Sequence, residues 1–241
     1  MILNAGAEHC LSFINSQLQG KEVKPTGTLA SRHVRRAVTI SRQAACGALI
    51  VANKLAEYLQ RRSPDACPWT VFDRNLMETV LEDHNLPPRL ARHMPEDRVS
   101  QIEDLLADVF EVHPTAEAVI QQTTETILKL ARLGNVILIG RGSTVITAGL
   151  PNVLHVRLVA PLEQRIKHAC EIYPEYNHTL ASARRFCLKE DRGRQRYLKK
   201  YFNKDIEDPL LYHLVINTGR VDYDAAAKLI AEAVLNLPAP G

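Results

Sequence analysis

The sequence predicts an α/β protein whose main domain is a five-stranded parallel sheet with helices on both faces. Five short apolar runs, separated by segments of helical period, predict that alternation. One of the runs, Asn135 to Ile139, is apolar without interruption from Val136 on, as a parallel strand covered on both faces should be. With 241 residues and 46% hydrophobic content, the chain can bury one large core and carry an appendage.

Before the domain, Ala5 to Leu18 sets Cys10, Leu11, Phe13, Ile14 and Leu18 at helical spacing. Gly20 to Arg36 is basic, punctuated by Gly and Pro, and has no apolar period. Residues 1–36 therefore read as a short helix on a flexible linker, and 37–241 as the domain. Its first strand, Ala37 to Ile40, passes through Ser41-Arg42-Gln43-Ala44-Ala45-Cys46-Gly47 into a helix, Ala48 to Arg62. That helix is assigned from the spacing of Ile50, Leu55 and Leu59 against Asn53, Lys54 and Glu57. A strand feeding a helix turns free N–H groups toward the connecting loop, where an anion is stabilised. The common phosphate-loop spelling G-x-x-x-x-G-K-[ST] is absent. Only Gly47 is kept, Ala48 stands at the Lys position, and Leu49 and Ile50 replace the metal-binding hydroxyl. Taken alone, this stretch is an ordinary β–α turn.

A brief strand, Trp69 to Phe72, ends at Asp73-Arg74. Helical patterns follow over Arg74 to His84, Leu90 to His93, Glu96 to Phe110 and Thr115 to Leu133, divided by Pro87-Pro88, Pro95 and Pro114. This is longer than a crossover requires. After the strand Asn135 to Ile139 and Gly140-Arg141-Gly142-Ser143 come strand Val153 to Val159, helix Leu162 to Ile172 and a basic helix, Thr179 to Tyr201. A turn at Asn203 to Pro209, strand Tyr212 to Ile216 and helix Tyr223 to Leu235 close the domain.

The formal net charge is +3, yet Arg184 to Lys204 holds nine Lys or Arg against Glu190 and Asp191, a local +7 that leaves −4 for the rest. A slightly acidic body with one basic element suits a localised anionic ligand better than a general nucleic-acid surface. Arg185, Lys189, Arg192 and Arg196 fall on one helical stripe, and Gly193 within the helix suggests a hinge or lid. Five cysteines without a C-x-x-C pair indicate neither zinc nor a disulfide framework, and they suit a reducing cytoplasm. No export signal and no apolar run of about 20 residues is present, so no membrane partner is expected. The nine histidines show no metal-binding spacing. Cys46 lacks the Arg six residues on that a cysteine phosphatase loop needs, and reads as a small packed side chain.

In open α/β sheets the ligand lies beyond the carboxyl ends of the strands. The residues there are Ser41 to Gly47, Asp73-Arg74, Gly140-Arg141-Gly142, Ala160 and Asn217-Thr218. Arg141, between two glycines, can offer a bidentate fork to a phosphate without crowding.

Ile40-Ser41-Arg42-Gln43, Phe72-Asp73-Arg74, Val136 to Gly142, Glu190-Asp191-Arg192 with Arg194 and Arg196, and Ile216-Asn217-Thr218 together resemble the cytidylate-kinase-like family of P-loop kinases over about residues 37 to 236. The resemblance implies a P-loop kinase fold with a helical acceptor-binding insertion (74–133) and a basic lid (184–205). It implies transfer of a phosphoryl group from ATP, with Mg²⁺, to a nucleoside monophosphate. By position, Ser41, Gln43, Ala44, Ala45, Cys46, Gly47, Ala48 and Leu49 would hold the donor phosphates, while Asp73, Arg74 and Arg141 would bind the acceptor. Arg42, Arg141, Arg192 and Arg196 would be catalytic, Arg42 supplying the charge of the absent Lys, and Mg²⁺ would be held by phosphates and water rather than by protein ligands. The family loop usually reads Ser-Arg-x-x-Gly-Ser-Gly, where this chain has Ala45 and Cys46. Cytidylate kinases also carry Asp where this chain has Gly142. Two further readings are a catalytically silent nucleotide-binding regulator on the same fold and a polyanion-binding module using the basic helix. An aromatic content of 5% argues against base stacking, and so against nucleic acid as partner.

Overall fold

The computed structural model describes residues 35–62, 68–73, 116–172 and 179–238. The helices expected at Ala5 to Leu18, Arg74 to His84, Leu90 to His93 and Glu96 to Phe110 lie outside the described residues, as does Arg74. The sheet contains β1 (Ala37–Arg42), β2 (Thr70–Phe72), β3 (Val136–Ile139), β4 (Val153–Val159) and β5 (Leu214–Asn217). All pairs are parallel and the order is β2-β3-β1-β4-β5. The described helices are α1 (Ala48–Arg62), α2 (Ala116–Leu133), the single turn α3 (Ser143–Ile146), α4 (Leu162–Ile172), α5 (Leu180–Phe202) and α6 (Tyr223–Leu235), with a 3-10 turn at Pro209–Leu211.

Period-2 alternation splits each central strand between two layers. Val38 and Ile40 of β1, Ile137 and Ile139 of β3, and Leu154, Val156 and Leu158 of β4 pack on Val51, Leu55 and Leu59 of α1 and on Ile230 and Val234 of α6. The other face carries Ala37, Leu138 and Val153 against Ile127, Leu130 and Ala131 of α2. Helices therefore cover both faces, as the apolar runs predict. Several boundaries depart from the sequence reading. Asn135 (φ 54) is not strand but a left-handed residue after Gly134, and the last strand begins at Leu214, with Tyr212 capping the 3-10 turn Pro209–Leu211 instead of opening the strand. Thr179 is the N-cap of α5, accepting from the Ser182 N–H.

The second face becomes polar toward the carboxyl ends. Thr39 pairs in register with His155, and Ser41 with Arg157. Thr39 Oγ1 lies 2.9 Å from His155 Nδ1 and 3.1 Å from Thr144 Oγ1. The His155 ring stacks on His213 at 5.0 Å, and the His213 Nδ1 accepts the His155 backbone N–H. Burial, aided by the charge of His213, lowers the His155 pKa from 6.5 to about 4. The unfolded chain therefore binds a proton between pH 6.5 and 4 that the folded protein does not. Stability conferred by neutral His155 is complete above pH 6.5 and declines as pH falls toward 4, by on the order of 3 kcal/mol in all. Urea titrations at pH 7 and pH 5 should show this decline, and His155→Gln should flatten it. An unchanged slope in that variant would mean that another group governs it.

Candidate active site

Three structures meet where β1 and β3 end: a polar cleft floor, a tight Gly-Arg-Gly turn and the loop before α1. The floor begins at Arg157, a buried guanidinium that shares β4 with His155 and five apolar residues. Its Nη1 donates to Ser41 Oγ at 3.0 Å, and its Nη2 donates to Glu207 Oε1 at 2.6 Å. Ser41 Oγ and Tyr212 Oη are 3.2 Å apart, and Tyr212 Oη donates to the Ile206 carbonyl at 2.9 Å. A guanidinium only donates and a carbonyl only accepts, so Ser41 accepts from Arg157 and passes its own proton to Tyr212. The Ser41 side chain is thus committed to the cleft floor.

Arg42, Arg141 and Arg194 line this cleft with Ser143, Tyr197 and Tyr212. Gly140, Arg141 and Gly142 are consecutive left-handed residues (φ 81, 55 and 71), and the Ser143 N–H closes the turn onto the Gly140 carbonyl at 3.0 Å. Arg141 is no free surface side chain: its backbone is held in a conformation that costs an L-residue about 1 kcal/mol. The departure at Gly142 has a local reason. A Cβ there would lie 2.7 Å from the Phe202 ring, so Asp at this position would collide with α5. Ser143 is 1% exposed, and its Oγ has no partner among the described residues, an orphan that a ligand oxygen would satisfy.

In the loop, the carbonyls of Ala44, Ala45, Cys46 and Gly47 each have a partner. Arg165 Nη1 donates to the Ala44 carbonyl (3.2 Å), His168 Nδ1 lies 2.8 Å from the Ala45 carbonyl oxygen, Thr218 Oγ1 donates to that of Cys46 (2.8 Å) and the Val51 N–H to that of Gly47 (3.0 Å). The N–H groups of Ala45, Cys46 and Gly47 have no acceptor among the described residues. Ala45 (φ 56) and Gly47 (φ 82) alternate with residues of ordinary φ, the backbone arrangement of an anion-binding nest. Burial raises the Cys46 thiol to about 11 despite the positive fields of Arg42, Arg194 and Arg165, so Cys46 is a neutral packed side chain. Arg165 touches the loop at the Ala44 carbonyl, and Arg42 and Arg194 line the cleft beside it.

The Gln43 side chain accepts from the Ala160 N–H at 3.0 Å and so anchors the loop to the end of β4. Ala44, Cys46 and Ala48 are buried, whereas the Leu49 side chain is 48% exposed. Arg42 sits 3.7 Å from Asp73, which brings together two residues 31 positions apart. Arg192 and Arg196 are exposed on the outer side of α5 and are not among the cleft residues, so the structure does not unite them with Arg141. Gly193 is buried in an unbroken helix. Arg157, Arg165 and Tyr212 line or brace the site and were passed over by sequence reasoning, which quoted Asp191 and Arg194 for the family resemblance but gave them no role. One signal was present: Ala183, Cys187, Tyr197 and Leu198 form the buried stripe of α5, and Asp191 and Arg194 interrupt it on the same side. The nest suits phosphate oxygens. For Mg²⁺ the fit is different, since among the described residues no cluster of His, Cys, Asp or Glu can hold a metal. Among the described residues no helix is long and apolar enough to cross a membrane.

Residues 37–220 match the family model described as the cytidylate kinase-like family. A cytidylate kinase of Methanocaldococcus jannaschii is 27% identical over 112 residues, 46% of this chain and 61% of that protein. A uronate isomerase of Corynebacterium glutamicum is 29% identical over 112 residues, 46% of this chain and 21% of that protein. The chain thus spans less than two thirds of the length of either relative. Among solved structures, an uncharacterized protein from Eubacterium ventriosum aligns with a TM-score of 0.58 at 18% identity, covering 84% of this chain and 99% of that one, a likeness of fold.

Proposed function

This chain belongs to the cytidylate kinase-like family, and on that premise we propose that it transfers a phosphoryl group from ATP to a nucleoside monophosphate. The observation that carries the reading is the loop in which the carbonyls of Ala44 to Gly47 are bonded while the N–H groups of Ala45, Cys46 and Gly47 stay unpaired among the described residues, beside a cleft lined by Arg42, Arg141 and Arg194. Those N–H groups hold the donor phosphates, and Arg141 and Arg42 receive the acceptor phosphate. Arg194 covers the region between. ATP with Mg²⁺ supplies the phosphoryl group: an oxygen of the acceptor phosphate bonds to the γ-phosphorus as the bond to the ADP oxygen breaks. No protein base is needed, because the reaction depends on positioning and on neutralising charge on the transferring group. The α5 helix excludes water from above.

A second reading, a silent nucleotide binder, draws on Ala45. Its left-handed φ strains the loop by about 1 kcal/mol, and the phosphate-loop Lys and hydroxyl are lacking. One series of measurements separates the two readings. Saturation tenfold above Kd should stabilise the protein by about 1.4 kcal/mol and raise Tm by about 3–6 °C with Mg-ATP. Ala45→Gly combined with Cys46→Ser should enlarge the shift and raise turnover on a panel of nucleoside monophosphates. A Tm indifferent to millimolar ATP sinks the anion site. ATP binding without transfer, in the parent and in the double variant alike, replaces the kinase with the silent binder.

A further inference from the structure

We infer that Asp191 is a positioning residue, the latch that fixes α5 onto the loop and sets Arg194 over the cleft. The inference rests on the phosphoryl-transfer reading for its catalytic consequence, but its geometry stands apart from it. Asp191 Oδ1 accepts the Ala44 N–H at 2.7 Å and faces Arg194 Nη1 at 3.4 Å, while Oδ2 accepts from Arg165 Nη1 at 2.7 Å. A carboxylate has about four lone-pair sites. Three of these four are used here, each by a different element of the site.

Arg165 makes the latch rigid. It is 5% exposed, its Nε donates to the Ala160 carbonyl at 3.0 Å, and its Nη1 also reaches the Ala44 carbonyl at 3.2 Å. Both backbone groups of Ala44 are therefore held by one ion pair, the N–H by Asp191 and the carbonyl by Arg165. Arg194 follows Asp191 by three residues on the same face of α5, about 4.5 Å along the axis. A second carboxylate, Glu190, holds its Nη2 at 3.2 Å. Where Asp191 docks thus decides how far Arg194 projects into the cleft. A salt bridge that merely solubilised a helix would face water, yet the Asp191 side chain is only 17% exposed and bonds to the loop backbone.

The latch leaves the nest open. Asp191 occupies the Ala44 N–H and none of those at Ala45, Cys46 and Gly47, so losing it should spare donor binding while unfastening the loop from Arg194. Ala at position 191 favours helix, and far-UV circular dichroism would verify that α5 persists. In the full chain without nucleotide, Asp191→Ala should speed hydrogen exchange of the Ala44 amide at least tenfold. Asp191→Asn, whose amide oxygen can still accept the Ala44 N–H, should exchange at nearly the parental rate. Both variants should lose at least tenfold in kcat, with apparent Mg-ATP affinity within about threefold of the parent. Unchanged Ala44 exchange in Asp191→Ala would overturn the latch. If kcat nevertheless fell in Asp191→Ala with its Ala44 exchange unchanged, Asp191 would be a direct ligand of substrate instead. If the parent shows no nucleotide effect while the exchange pattern appears as expected, the latch stands and the kinase reading fails.

Discussion

Arg194→Ala should lower turnover with Mg-ATP and a nucleoside monophosphate by about 10²–10³-fold, while Arg192→Ala and Arg196→Ala stay within about twofold of the parent. The three arginines sit within two turns of α5, and only Arg194 lines the cleft with Arg42 and Arg141. Removing one preorganised donor from charge that develops in the transition state accounts for the size of the expected loss. Arg194→Lys should recover only part of it, because the ammonium keeps the charge but cannot hold Glu190, Asp191 and a phosphate together with a planar fork. Arg194, Glu190 and Asp191 are 14%, 25% and 17% exposed, so truncating Arg194 also costs stability, and turnover is to be compared well below the Tm of each variant. Steady-state kinetics on the four variants decides the matter. Full activity in Arg194→Ala, or equal losses at 192 and 196, would return catalysis to the outer stripe.

Gly134→Ala should destabilise the fold by about 3 kcal/mol, combining roughly 1–2 kcal/mol for a left-handed L-residue with about the same for steric overlap. Gly134 has φ 74 and ends α2, its N–H bonded to the Leu130 carbonyl. A Cβ there would lie 2.3 Å from Arg35 Cβ and 2.7 Å from the Arg35 carbonyl carbon and oxygen. Main chain cannot swing aside as a side chain does. The Arg35 carbonyl is bonded by Asn152 Nδ2 at 3.0 Å, and the next carbonyl, that of Arg36, by the Asn135 N–H at 2.7 Å. Withdrawing this segment would open the starts of β1 and β3 together. For a chain of this size the loss corresponds to about 6–12 °C in Tm. Gly149→Ala is the control, since a methyl group there would meet nothing within 4 Å and its change should stay within about 0.5 kcal/mol. A Tm for Gly134→Ala within about 2 °C of the parent, less than one kcal/mol would produce, would contradict this account of the junction.

Local pattern was enough for the succession of elements. α1, α4, α6 and β4 have the boundaries that their spacing predicts, because the helical period and the apolar run are properties of neighbouring residues. The loop after β1 and the Gly-Arg-Gly turn could be located as well, since ligands gather where parallel strands end. Even the substitution of Ala45 for a glycine was readable as a backbone problem, and its φ of 56 is that problem realised. The strand order β2-β3-β1-β4-β5 was not readable, because pairing joins residues about 100 positions apart through backbone groups that every residue possesses. For the same reason nothing in the sequence joins Thr39, Ser41, His155 and Arg157, which the register sets side by side. On α5 the sequence by itself determined which cations share a stripe. Only the tertiary structure decided which stripe meets α4 and the loop after β1: burial of Ala183, Cys187, Tyr197 and Leu198 turns Asp191 and Arg194 inward and leaves Arg192 and Arg196 in water, and a helical repeat contains no information about the surface against which it packs.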